Sequence, residues 1–104
     1  MGYYTKIEGN IYVRPAFTTD QSDTFNEDST DLYVDAEGDL IPLWEEPSKY
    51  YGIVTEVQRL IDANPDRKFT GYFECYGEEP GDIWRLVIKG RTATKVKARI
   101  VWDY

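Results

Sequence analysis

The chain has 104 residues, a formal charge of −7, an isoelectric point near 4.5, one cysteine and no histidine. That length suits a single domain over residues 1–104 with one core. The lone Cys75 excludes an internal disulfide, and the missing histidine removes the usual zinc sites and Ser-His or Cys-His catalysis. The acidity argues against a phosphate backbone as partner. No run is long and apolar enough to span a membrane, and Met1 to Lys6 is not an apolar leader, so the expected location is the cytoplasm.

From Tyr3 to Val13 the chain alternates as a strand or bent hairpin. Thr5, Ile7, Ile11 and Val13 take one side and Lys6, Glu8, Tyr12 and Arg14 the other. Gly9-Asn10 reads as a bulge or a tight turn, and Pro15 ends the element. Residues 18–31 hold Asp20, Asp23, Glu27 and Asp28, no base, and Phe25 as the apolar member, the composition of a mobile acidic loop. Leu32-Tyr33-Val34 and Leu40 to Trp44 flank a turn at Asp35-Ala36-Glu37-Gly38-Asp39. Together they read as a hairpin whose second arm Pro42 keeps short or at an edge.

Tyr50, Ile53, Val54, Val57, Leu60 and Ile61 recur at helical spacing, so the pattern predicts an amphipathic helix over about 48–64, closed by Asn64-Pro65. Three strands follow as a meander. Phe69, Gly71, Phe73 and Cys75 fall on one side of the first, with Thr70, Tyr72, Glu74 and Tyr76 opposite. Trp84, Leu86 and Ile88 share one side of the second, against Arg85 and Val87. In the third, the alternation puts Val96, Ala98, Ile100 and Trp102 in the core and Lys95, Lys97 and Arg99 in solvent. The fold class is therefore α+β: a curved, mainly antiparallel sheet of about four to six strands with one helix on its apolar face. The N-terminal strand needs a partner, and the last strand is the longest free candidate.

Two surfaces are candidates for function. Tyr72, Tyr76, Arg85, Lys95 and Lys97 share the outer face of the meander, the residue types that anchor protein interfaces. Asp20, Asp23, Glu27 and Asp28 form an acidic arm suited to a basic partner. The carboxylates of the turns, Glu37 and Asp39 with Glu78, Glu79 and Asp82, make a metal or acid-base cluster only if both turns lie at one end of the sheet. Ordinary turn chemistry accounts for them, so no catalytic residue, metal or cofactor is expected. An RNA-binding sheet motif is absent.

A few phrases carry a resemblance: Met1-Gly2-Tyr3-Tyr4-Thr5, Glu37-Gly38-Asp39-Leu40, Phe69-Thr70-Gly71, Gly77-Glu78-Glu79-Pro80-Gly81-Asp82-Ile83-Trp84-Arg85, and Arg99-Ile100-Val101-Trp102. Through them nearly the whole chain resembles a family of small uncharacterised proteins of actinobacteria and their bacteriophages, with the Gly77 to Arg85 run the most specific part. The acidic segment around 18–31 is where it departs. That family has no assigned activity, so the resemblance implies no site residue, only a bacterial or viral intracellular origin. The expected function is a non-enzymatic acidic protein that binds and inhibits a larger host protein, of the anti-defence or host-takeover type. The alternatives are a small-ligand or metal-dependent enzyme using the turn carboxylates, and a structural protein that assembles with its own copies through an open sheet edge.

Overall fold

A computed structural model describes residues 3–99 and residue 102. Six antiparallel strands form one open sheet: β1 (Thr5–Arg14), β2 (Leu32–Val34), β3 (Leu40–Pro42), β4 (Lys68–Gly77), β5 (Ile83–Lys89) and β6 (Thr92–Lys97), in the order β2-β3-β1-β4-β5-β6. Two helices, α1 (Thr19–Asp28) and α2 (Ile53–Ala63), pack on the same face. The fold class is α+β, as the alternation implies. Among the described residues no helix is long and apolar enough to cross a membrane.

The sheet is built on the pairing of β1 with β4, which runs without interruption from Thr5↔Gly77 to Arg14↔Lys68. β1 therefore lies in the middle of the sheet, with β3 on its other side, rather than beside the last strand. Gly9 is neither a bulge nor a turn. Gly9 and Gly71 flank the Asn10↔Tyr72 pair at φ +113° and +103°, on a continuous ladder. A Cβ on either would meet a carbonyl oxygen of the opposite strand at 2.8 Å, so glycine is what lets the two backbones bend through one another's space.

The inner face collects Ile7, Ile11 and Val13 from β1, Phe69, Phe73 and Cys75 from β4, and Trp84 and Leu86 from β5, all buried. Ile53, Val57 and Ile61 of α2 close over them. This matches the expected faces of β1, β4 and β5. Burial pushes the Cys75 thiol up to about 12, so it is a core group and not a nucleophile.

Three further expectations fail, each for a physical reason. The acidic stretch forms helix α1 rather than a loop. Thr18 and Gln21 make a reciprocal capping box, and Asn26 donates Nδ2 to the Val34 carbonyl at 3.0 Å while accepting the Val34 N–H at 2.9 Å. A few such bonds, with Phe25 packed on the core, do what composition alone does not. α2 begins at Ile53, not Ser48, because Ser48 is bridged to Thr5 through both backbone groups and Tyr50 is buried with its hydroxyl bonded to the Trp44 backbone.

The third failure is the face of β6. The two-residue turn at Gly90-Arg91 sets Ile88 against Ala93, Leu86 against Lys95 and Trp84 against Lys97. Ala93, Lys95 and Lys97 thus point to the helix side, while Val96 points outward and is exposed. Beyond α2 the helix side of this edge is wet, and the Lys95 ammonium rests over the Trp84 ring at 4.4 Å. Ala98 and Trp102 are exposed rather than core, and Ile100 lies outside the described residues.

Candidate interaction face

Both helices cover one side of the sheet, and the other side has no covering layer among the described residues. Strand alternation projects Tyr12 from β1, Tyr33 from β2, Tyr72, Glu74 and Tyr76 from β4, and Ile83, Arg85 and Val87 from β5 onto that open side. Tyr12, Tyr33, Tyr72, Ile83 and Val96 are each at least 39% exposed. An open antiparallel face normally reads polar, so this density of ring and aliphatic surface is the feature to explain.

At its centre four side chains hold one another. The Arg85 guanidinium stacks on the Tyr72 ring at 4.7 Å and pairs with the Glu74 carboxylate at 3.1 Å. The Tyr76 hydroxyl donates to the other Glu74 oxygen. That hydrogen bond, and then Arg85, hold Glu74 below its ordinary value, while the same bond raises the Tyr76 phenol. Glu74 is thus a fixed anion, unsuited to shuttle protons. The bend at Gly9 and Gly71 leaves a shallow depression of 380 Å³ beside this cluster, walled by Tyr12, Tyr72 and Tyr76. Arg14 lies over Tyr12 at 5.9 Å and is anchored at 2.6 Å by Asp39, which also accepts the Val13 N–H at 3.0 Å. Asp39 is 2% exposed, and its bond holds the Arg14 guanidinium above its ordinary value. Stacking and ion pairing thus hold these rings and charges in fixed positions relative to one another.

Of the residues singled out from sequence, Tyr72, Tyr76 and Arg85 come together here, and Glu74, which the alternation puts on the same side without marking it as a candidate, is the acceptor that ties them. Lys95 and Lys97 lie on the opposite side of the sheet. Asp20, Asp23, Glu27 and Asp28 are all exposed, but on α1, beside β2 and away from the tyrosine cluster.

The turn carboxylates do not meet. The 35–39 turn adjoins the Val13-Arg14 end of β1, whereas Gly77 and the turn that follows it adjoin Thr5 at the other end. Within the first turn, oxygens of Asp35, Glu37 and Asp39 lie within 4.8 Å of one another, yet Asp39 is bound to Arg14 and one Asp35 oxygen accepts the N–H groups of Glu37 and Asp39. In the second, Asp82 accepts the Tyr3 hydroxyl at 2.5 Å and Glu78 accepts the Tyr4 N–H at 2.9 Å. Asp35 is thus engaged within its own turn, and Asp39, Glu78 and Asp82 by β1 and the residues just before it.

Residues 43–103, more than half of the chain, match a family of unknown function (DUF6205). The chain belongs to that family. The DUF6205 segment runs from the end of β3 through α2 and β4–β6, so it carries Tyr72, Glu74, Tyr76 and Arg85 but neither α1 nor β1. No curated protein and no solved structure matches the chain.

Proposed function

We propose that this is a non-enzymatic binding protein that docks on a larger protein through the open tyrosine face of its sheet. The observation that carries the reading is the uncovered, preorganised Tyr72-Arg85-Glu74-Tyr76 cluster on the open face. Tyrosine and arginine supply the anchors of protein interfaces because each offers a broad apolar surface and a polar tip. The exposed carboxylates of α1 add a field that steers the protein toward a basic surface. In a bacterial or phage-infected cell, an acidic protein acting this way serves as an inhibitor, occupying a surface otherwise held by another polyanion.

Affinity capture from bacterial lysate, run in parallel with wild type, a Tyr72→Ser, Tyr76→Ser double variant and a Tyr51→Ser control, tests the reading. Tyr51 is exposed but lies off the open face. A partner held by wild type and the control and lost by the double variant supports it. Equal capture by all three overturns it.

A further inference from the structure

The two edges of the sheet are covered to different extents. At β2 the outward backbone groups of Val34 are already taken by Asn26 of α1, so this short edge is closed. At the other edge no described strand pairs with the free side of β6. Gln58 of α2 accepts the Ala93 N–H at 2.8 Å, and beyond it the backbone groups of Lys95 and Lys97 that point away from β5 form a short template for another strand.

The charge around that edge differs from the rest of the molecule. Half of the chain's twelve Lys and Arg and none of its nineteen Asp and Glu lie between Ile83 and Arg99. Lys95 and Lys97 line the helix side of the edge strand, and Thr94 and Val96 its open side. On the open side, a depression of 300 Å³ between Glu74, Ile83, Arg85, Val96 and Ala98 adjoins the edge.

We propose that β6 takes an extended segment of another protein as a seventh strand, one in which acidic side chains alternate with apolar ones. Cross-strand neighbours on one face interact in pairs, so the acids fall beside Lys95 and Lys97 and the apolar side chains beside Thr94, Val96 and the depression. A second copy of β6 would set lysine against lysine, which opposes self-pairing. A nucleic acid offers no ladder groups and meets the net charge of −7 on the chain as a whole. This surface borders the tyrosine cluster at Glu74 and Arg85, and its test leaves both residues in place.

The experiment uses the full-length chain, isotope-labelled for NMR, and a terminally blocked peptide of alternating glutamate and valine. Peptide of the same composition with its glutamates contiguous, and an oligothymidine of equal charge, are the comparisons. Amide shifts centred on Thr92–Lys97 and an affinity about tenfold above the contiguous peptide are expected, weakening as salt rises. A Lys95→Glu, Lys97→Glu variant should lose about tenfold and regain binding to a lysine-valine peptide. Lys97→Gln alone, with a loss of about threefold, serves if the double variant does not fold. Equal affinity for the contiguous peptide, stronger binding of oligothymidine at the same residues, or no shift at about 1 mM peptide overturns the proposal.

Discussion

The two faces of the sheet use aromatic residues in opposite ways. Every strand aromatic that points toward the helices is Phe or Trp (Phe69, Phe73, Trp84), and every one that points outward is Tyr (Tyr12, Tyr33, Tyr72, Tyr76). The first set is buried to 7% exposure or less, whereas Tyr12 and Tyr72 keep nearly half their surface. On the outer face the ring hydroxyl can bond to water, which a Phe in the same place cannot do. The inner face is composed as a closed core, and the outer one as an aromatic surface open to water.

Truncation breaks this comparison most strongly. Trp84→Ala and Ile53→Ala should each cost about 3 kcal/mol or more, since both side chains sit in the closed core. Tyr72→Ala should cost less than about 1 kcal/mol, the loss of one exposed stacking and its ring contacts. Urea unfolding of the three variants reads the contrast directly. Similar midpoints for all three would mean that the outer ring is as structural as the inner one.

The inner face was largely legible in the sequence because burial imposes period. Ile7, Ile11 and Val13, then Phe69, Phe73 and Cys75, then Trp84 and Leu86 repeat every second residue, and α2 repeats at the helical period. What escaped are features that rest on a few specific bonds. α1 depends on the Thr18-Gln21 box and the grip of Asn26 on Val34, signals of two or three residues inside a polar run. The box itself, Thr followed three residues later by Gln, was readable, though without a following apolar run it carries little weight. The β6 inversion depends on the parity of a two-residue turn, and an edge strand wet on both sides has no buried period to correct a misread face. The clustering of Tyr72, Tyr76 and Arg85 on one open face was legible by alternation. That face was assigned two lysines too many because strand faces were judged separately rather than through the pairing.

A polar flaw on the covered side allows a smaller test. Glu56, in the first turn of α2, faces Asp31 just before β2, and one of its oxygens is buried without a hydrogen-bond donor. Burial first, and Asp31 second, raise Glu56 from 4.5 to about 7, with Arg59 pulling the other way. The native state therefore binds more protons than the unfolded chain between those values. Stability from this group is full below pH 4.5, falls as pH rises to about 7, and is level above it. Glu56→Gln is neutral throughout. It should match wild type near pH 4.5 and exceed it near pH 8 by on the order of 1 kcal/mol, a figure reduced for the partial exposure of the site. Parallel stability curves for the two proteins would show that Glu56 is not held neutral by its surroundings.

The smallest expected effect on stability lies in α1, and its sign is informative. Asp20 stands in the first turn, where the positive end of the helix favours it, but Glu27 and Asp28 stand in the last turn with no base beside them. Those two carboxylates oppose the helix dipole, so Glu27→Gln with Asp28→Asn should raise stability by roughly 0.5 kcal/mol, and Asp20→Asn should lower it by a similar amount. If the ridge steers a partner, neutralising all four acids, Asp23 included, leaves the melting temperature nearly unchanged because these opposite terms offset. It nevertheless slows association with that partner and flattens its salt dependence. Tyr72→Ser and Tyr76→Ser act instead on dissociation, since desolvated anchors set the lifetime of a complex. Surface plasmon resonance over a salt series separates the two. A fourfold-neutralised α1 that associates as fast as wild type at low salt would leave the open tyrosine face to act alone, with the acids serving only solubility.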